Sequence, residues 1–261
     1  AMTALIPLDQ INIDPDHLLY IKRHHLVPLL DDQMRLNHFA DQIVQAQAVV
    51  LNGIDPKLNQ QLGQVIGQIV TQLNNSTKVM KNKKFNVLQK WLGIDLEFDS
   101  AKIKYMQDLD LLVKEAGVLS QRLQLEIQKS QTKFLQATGY REQMAGYIVA
   151  ASEFLDEYPQ FIKTRHPLDN FAERLSKKIN TLQTLQASND IAMSQMILTQ
   201  QLSMSLLDRF KEAEQVLIPA WQYHVQQSQQ HQQYSQTQLD KSREKLIQTL
   251  QDSLNRATSK T

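Results

Sequence analysis

The sequence predicts an all-α protein, an elongated antiparallel bundle of long coiled-coil-like helices with a smaller N-terminal helical subdomain. The 261 residues include only 7 glycines and 7 prolines, too few for the many turns of a sheet protein. The long segments are rich in glutamine, leucine, lysine and alanine, which favour helices. Their apolar residues recur at steps of three and four, which keeps them on one helix face. Neither of two long helices can bury such a face alone, so we expect them to pack side by side.

Residues 1–83 form the predicted N-terminal subdomain, an extended arm followed by three helices that cap or flank the bundle. Aspartates mark each start, because aspartate is a favoured N-cap and a following proline suits the first helical position. The predicted starts are Asp14-Pro15, Asp31-Asp32 and Asp55-Pro56. The predicted ends are Pro28, Asn52-Gly53 and Asn74-Asn75-Ser76.

A basic connector, residues 78–84, follows this subdomain and leads into a small amphipathic helix that ends at Gly93. Lysines beside a tryptophan-bearing amphipathic helix are typical of a membrane-surface contact. The candidate membrane or anion contacts are Lys78, Lys81, Lys83, Lys84 and Trp91. We favour a simpler interpretation, a solvated linker and a helix docked on the core. The helix is short, and a charge attraction of about 1–2 kcal/mol would hold it only weakly on a membrane.

Residues 84–261 form the predicted long-helix bundle. Asp99-Ser100 is the expected cap of its longest helix, which spans about residues 99–156 because the apolar steps continue without a break. Pro159 ends that helix. The glutamine-rich segment 226–238 has almost no apolar face, so it is either a solvated helix or disordered.

The second long helix begins near Pro167 and Asp169 and runs into Ile218, Pro219 and Trp221. Pro219 lacks a backbone donor and crowds the carbonyl four residues earlier, so we expect the helix to kink or break there. These last three residues are a candidate structural or interaction motif. We favour a buried Trp221 that fills the gap at the kink, and the alternative is a tryptophan exposed for a partner.

Charge and composition exclude several classes of function. A net charge of +1 supplies no field that attracts nucleic acid to the whole chain, so no nucleic-acid partner is expected. The absence of cysteine excludes disulfides, thiolate metal sites and thiol redox chemistry, and it suits a reducing cytoplasm. We find no apolar run long enough to span a membrane and no signal-peptide core. We therefore expect a cytoplasmic protein.

Three histidines are the candidates for a metal site, and we favour surface or packing roles for them. His24 and His25 are adjacent, so on a helix they point about 100° apart and cannot both bind one ion. His38 lies on another predicted helix, and no carboxylate–histidine spacing of metalloenzyme type accompanies it. The sequence contains neither a nucleophile elbow nor a glycine-rich phosphate loop. We therefore expect a non-enzyme without a metal ion or cofactor.

The stretch from Leu206-Leu207-Asp208-Arg209-Phe210 through Ile218-Pro219-Ala220-Trp221 resembles the toxic anion resistance family, the TelA-like proteins associated with tellurite resistance. In that family a long helix likewise runs into an Ile-Pro-x-Trp segment. Trp91-Leu92-Gly93, the helix around Tyr105 and Leu155-Asp156-Glu157 are similar to it in order and spacing. The resemblance covers about residues 84–250.

The chain departs from the family pattern beside this motif. After the tryptophan the family tends to carry Lys-Asn-Gln, where this chain has Gln222, Tyr223 and His224. Upstream, Gln201 and Ser203 stand where the family has asparagines. A shared binding role of that polar cluster is therefore not carried over to this chain.

The resemblance implies a cytoplasmic helical protein in a stress or resistance system and supplies no catalytic mechanism. We expect a non-enzymatic scaffold or interaction protein in toxic anion (tellurite) or cell-envelope stress resistance. Its protein partner is unidentified, and its long helices would allow it to form oligomers. One alternative is an oxyanion-binding protein that uses lysine, arginine or helix N-termini, because the chain has no thiol to reduce tellurite. Another is a peripheral protein that binds a membrane surface weakly through residues 78–92.

Overall fold

The computed structural model describes residues 5–79, 86–162, 170–230 and 236–258. Throughout these ranges the regular structure is helical and contains no strand, which confirms the predicted all-α class. The α-helices of these ranges are α1 (Pro15–Ile21), α2 (Pro28–Asp31), α3 (Asp41–Val50), α4 (Pro56–Val79), α5 (Val87–Trp91), α6 (Ile94–Glu157), α7 (Phe171–Glu212), α8 (Ile218–Gln230) and α9 (Gln236–Thr258). The two longest, α6 and α7, are the long helices expected from the apolar spacing.

Close contacts divide the chain into two compact units. The first contains the described residues of Ala1–Gly53 and Lys129–Thr199, and the second those of Ile54–Gln128 and Gln200–Thr261. This division differs from the boundary drawn from the sequence between residues 83 and 84. The difference arises because α6 and α7 each bury one part of their apolar faces in the first unit and another part in the second.

In the first unit, α6 and α7 run antiparallel around an apolar core. Phe171, at the start of α7, packs edge-on against Phe154 and Tyr158 at the end of α6, with ring centroids 6.3 and 5.2 Å apart. Further along, Arg141 of α6 meets Asp190 of α7. The end of α6 therefore lies beside the start of α7, and the two helices run in opposite directions. The N-terminal helices complete this core with Ile21, Leu26, Leu29, Leu36, Phe39 and Ile43.

In the second unit, α4 and α9 pack with segments of α6, α7 and α8 around another apolar core. The expectation that the third predicted helix only flanks the bundle is wrong, because α4 contributes a full apolar face to this core. Its buried residues are Leu58, Leu62, Val65, Ile66, Ile69, Val70, Leu73 and Ser76. The helix also continues past Asn74-Asn75-Ser76 to Val79, with Ser76 on its buried face, where its hydroxyl donates to the Leu73 carbonyl at 2.6 Å.

Two prolines that were expected to interrupt helices are each preceded by a π-helical turn instead. One turn, Lys22–Leu26, precedes Pro28, and the other, Ala213–Leu217, precedes Pro219. In each, the last backbone N–H before the proline bonds the carbonyl five residues back. This shift of pairing accommodates a residue that has no N–H of its own, so the chain stays helical through both prolines. The predicted helix end at Pro28 is therefore wrong, and of the two outcomes expected at Pro219, a kink or a break, the break does not occur.

Two predicted helix starts are displaced. Asp99 and Ser100 lie inside α6, which begins at Ile94 directly after Gly93 ends α5 with a positive φ of 73°. Asp31-Asp32 does not begin an α-helix; the Asp32 carboxylate accepts from the Met34 N–H at 3.2 Å and caps a 3-10 turn. The α-helix of that region starts ten residues later than expected, at Asp41.

Several sequence predictions fall outside the described residues. These positions are Lys81, Lys83, Lys84, Phe85, Pro167 and Asp169. Of the glutamine-rich segment 226–238, the part up to Gln230 belongs to α8 and the part from Gln236 to α9.

Candidate functional site

The short helix α5 is specified by its own sequence at both ends. The Asn86 side chain accepts from the Gln89 N–H at 2.9 Å, and the Gln89 side chain accepts from the Asn86 N–H at 3.1 Å. This reciprocal capping box satisfies backbone donors that a five-residue helix would otherwise leave open. Gly93, in a left-handed conformation, then ends the helix and turns the chain into α6.

The apolar side chains of this region face solvent. Trp91 is 82% exposed, and four neighbouring apolar side chains are each more than half exposed. We call this set the α5 surface; its members are Val87, Leu88, Trp91, Leu92 and Leu96. The interpretation that we favoured from the sequence, a helix docked on the core, is wrong. The apolar residues of α5 share one face of a short helix, and none of them belongs to either core.

The charge next to the α5 surface is positive. Residues 78–92 contain five lysines and no aspartate or glutamate. Of these, Lys78 and Lys90 are exposed in the described part of the chain. The nearest carboxylates that follow, Asp95 and Glu97, lie in the first turn of α6, where negative charge stabilises the helix N-terminus. A large apolar patch beside positive charge is typical of an interaction surface.

The motif Ile218, Pro219 and Trp221 is divided between core and surface. Trp221 is 1% exposed and Ile218 4% exposed, so both belong to the core of the second unit, as favoured for Trp221 from the sequence. Pro219 faces solvent. The Trp221 indole N–H has no hydrogen-bond partner among the described residues, so its contribution to the core is apolar packing.

Helix packing near this motif is close at one point. A Cβ added to Gly117 of α6 would lie 2.7 Å from the Glu214 carboxylate of the π-helical turn before Pro219.

Ser203, one of the departures from the family pattern, is buried and exchanges hydrogen bonds with Asn59 of α4 at 2.9 and 3.2 Å. In this chain Ser203 therefore joins two helices of the second unit.

The first unit contains a cavity of about 260 Å³ lined by basic and aromatic side chains. His24, His25, Arg35 and His38 contribute to it, so the structure brings His38 beside the histidine pair, as considered from the sequence. Among the described residues, no group of three or more histidine, aspartate or glutamate side chains has the arrangement of a metal site. Because three histidines and an arginine line it, we call this cavity the basic pocket.

Local packing modifies the chemistry of this pocket. Burial, together with the charges of His24 and His17, lowers the pKa of the His25 imidazole below its usual 6.5. The His25 ring lies against Tyr147 with centroids 5.3 Å apart. Ala40, which also lines the pocket, has a φ of +63°, a left-handed conformation that is unusual for any residue but glycine.

A carboxylate that lines the cavity, Asp41, partly balances its positive charge. The Asp41 carboxylate accepts from His38 at 3.0 Å and pairs with Lys178 at 3.3 Å. These partners lower the pKa of the Asp41 carboxyl although its burial acts to raise it. Arg35, which is exposed, is left as the permanent positive charge that lines the cavity itself.

Sequence reasoning missed a buried polar cluster between α3, α6 and α7 in the first unit. Arg141 is 4% exposed and binds Asp190 through two hydrogen bonds of 2.7 and 3.0 Å. Gln186 donates to the same carboxylate and accepts from Gln47 at 2.9 Å. One signal was present in the sequence. Arg141 stands in the apolar series of α6, four residues after Ala137 and three before Met144, which places it on the buried face.

Within the described ranges, every helix is too short or too polar to cross a membrane. This finding concerns spanning helices and leaves contact with a membrane surface open.

Comparison with known proteins gives one informative similarity. Protein KlaA of Escherichia coli is 29% identical to this chain over 170 residues, which are 63% of this chain. The matched region covers 65% of KlaA, so the chain spans slightly less than two thirds of that relative's length. No family model matches the chain, and no solved structure matches it.

Proposed function

We propose that this chain is a non-enzymatic helical interaction protein of a toxic anion or cell-envelope stress resistance system in the cytoplasm. The α5 surface is the observation that carries the proposal. It presents five large apolar side chains to solvent on and directly after α5, a helix whose ends are fixed by local hydrogen bonds. A protein that used these side chains only for its own stability would bury them.

The resemblance to the TelA-like proteins supports the resistance context. The residues around Ile218, Pro219 and Trp221 resemble the motif of the TelA-like proteins. The likeness to protein KlaA extends over 170 residues, far more than this motif. From the family we transfer only the general class of function to this chain. The polar residues beside the motif differ from those of the family, and Ser203 here contacts Asn59 of α4.

A survival assay tests the proposal directly. Cells of the native host that lack this protein would be complemented with the natural chain, with Trp91→Ser or with Ile191→Ser, and challenged with tellurite. Ile191 is a matched control, because it is an apolar side chain that is 63% exposed on α7 in the first unit. We expect Trp91→Ser to lose about tenfold or more in survival, because it removes the largest side chain of the α5 surface, and Ile191→Ser to behave as the natural chain. Equal protection by all three chains would contradict the proposal.

A second candidate function, oxyanion binding, is favoured by the basic pocket of the first unit. Arg35 and three histidines surround a cavity large enough for a tetrahedral or trigonal oxyanion. Because the His25 imidazole is charged only below its pKa, which burial lowers from the usual 6.5, anion affinity should rise as the pH falls below that lowered pKa. The Asp41 carboxylate also lines the cavity, and its charge is offset by the ion pair with Lys178.

Calorimetry tests the second candidate with phosphate and tellurite as the ligands. We expect binding near pH 5.5 that is lost near pH 8, and a loss of about tenfold in affinity for Arg35→Gln, the effect of one charge-assisted contact. Arg23→Gln is a matched control, because Arg23 is an exposed arginine of the same region outside the cavity. No heat at millimolar ligand, or equal binding by both variants, would remove oxyanion binding as a function.

A further inference from the structure

We propose that the partner of the α5 surface is an anionic lipid bilayer, which α5 touches in the plane of the headgroups. This inference rests on the proposed function and names the partner of that same surface. The first argument is the kind of side chain that is exposed. Trp91 is 82% exposed and lies among aliphatic side chains, and tryptophan is the residue that membrane interfaces favour because its ring is apolar and its N–H is polar.

The second argument is charge complementarity. Residues 78–92 carry five lysines without any carboxylate, whereas the whole chain has a net charge of +1. Positive charge is therefore concentrated in the same stretch of sequence as the apolar surface, and Lys90 lies on α5 itself. Each lysine near an anionic bilayer strengthens binding about fivefold, and several together with a tryptophan provide the two signals that stable peripheral binding needs.

The third argument is the shape of the surface. At about 100° per residue, Val87, Leu88, Trp91 and Leu92 lie within a sector of about 140° on one side of α5, and Leu96 continues the exposed set on α6. A coiled-coil partner needs an apolar stripe that continues over several heptads, whereas α5 has only five residues. A short helix with one broad apolar face can lie in the plane of a headgroup layer, so a bilayer suits this surface better than a coiled-coil partner does.

The carboxylates that follow define how deep this contact extends. Asp95 and Glu97 lie in the first turn of α6, one on each side of Leu96. Negative charge is repelled by anionic headgroups, so the insertion stops at the start of α6. The contact therefore consists of α5, its turn at Gly93 and Leu96 in the first turn of α6, and leaves the rest of the long helix in water.

Sedimentation with vesicles tests this inference. The full chain would be mixed at low salt with vesicles of phosphatidylcholine and with vesicles of an equimolar mixture of phosphatidylcholine and phosphatidylserine. We expect binding to the mixed vesicles that weakens as salt is added, and little binding to the neutral ones. Trp91→Ser should weaken binding about tenfold, the effect of removing roughly 55 Å² of buried apolar surface. Lys90→Gln should weaken it about fivefold.

Matched controls isolate the surface from general effects. Ile191→Ser removes an exposed apolar side chain and Lys177→Gln an exposed lysine, both in the first unit, and neither should change vesicle binding. Failure of the natural chain to bind anionic vesicles, equal binding to neutral ones, or unchanged binding by Trp91→Ser would each overturn the inference. Loss of self-association in Trp91→Ser without loss of vesicle binding would also overturn it, because the partner would then be a second copy of the chain.

The survival assay separates this inference from the proposed function. If the vesicles are not bound but Trp91→Ser still loses tellurite protection, the surface is functional and its partner is a protein. If the vesicles are bound as expected but Trp91→Ser protects fully, the lipid contact is real and the proposed resistance function fails.

Discussion

Trp221→Ala is expected to lower the free energy of unfolding by ~3–5 kcal/mol, a large part of the stability of a typical domain. Trp221 is 1% exposed and packs in the core of the second unit with Ile218, Leu217 and Val225. Truncation would leave a cavity the size of an indole beside the π-helical turn, where the backbone already departs from regular α-helical pairing. Thermal or denaturant unfolding followed by circular dichroism measures this change.

The matched control for this experiment is the other tryptophan of the chain. Trp91 is 82% exposed, so Trp91→Ala should change the free energy of unfolding by less than about 0.5 kcal/mol. Trp221→Phe should cost less than Trp221→Ala, because the indole N–H has no hydrogen bond to lose. An unchanged midpoint for Trp221→Ala would show that this residue is not part of the core.

Asp190→Ala is expected to cost ~3 kcal/mol, the second largest effect. The substitution leaves the Arg141 guanidinium, whose side chain is 5% exposed, without its carboxylate in the interior of the first unit. The value lies at the lower end of the range for buried pairs, because the Asp190 side chain keeps 30% exposure and water can reach part of the site. Chemical denaturation measures the loss.

Two further variants show whether the uncompensated charge is the cause. Arg141→Met with Asp190→Leu removes both charges and should recover most of the lost stability. Glu173→Ala breaks an exposed i,i+4 pair with Lys177 in the same helix as Asp190 and should change stability by less than about 0.5 kcal/mol. If the double variant is as unstable as Asp190→Ala, lost packing rather than unpaired charge explains the effect.

The all-α class and the long helices could be predicted from sequence, because apolar residues at steps of three and four identify a helix whatever it packs against. Local end signals were also readable where they act alone, as with the start of α4 at Pro56 and the end of α5 at Gly93. The end predicted at Pro28 and the break considered at Pro219 do not occur, because the response of a helix to proline depends on whether the preceding turn can change its pairing. Pro28 and Pro219 both follow such a π-helical turn.

The candidate site was only half predictable. The sequence identified the residues around Trp91 and the burial of Trp221, but it could not decide whether α5 docks on the core. Docking of α5 would require space in a core, and that space depends on how all the other helices pack, which a local stretch of sequence does not show. The pair Arg141–Asp190 was missed because its two residues are 49 positions apart on different helices.

The fluorescence of a Trp221→Phe variant tests the central claim, an α5 surface that is exposed in the free protein, most directly. The chain has two tryptophans, so this variant reports on Trp91 alone. We expect emission typical of an indole in water, strong quenching by acrylamide, and the same helical circular dichroism as the natural chain. Blue-shifted emission that is protected from acrylamide in the free, folded variant would contradict the account, because it would place Trp91 against the core.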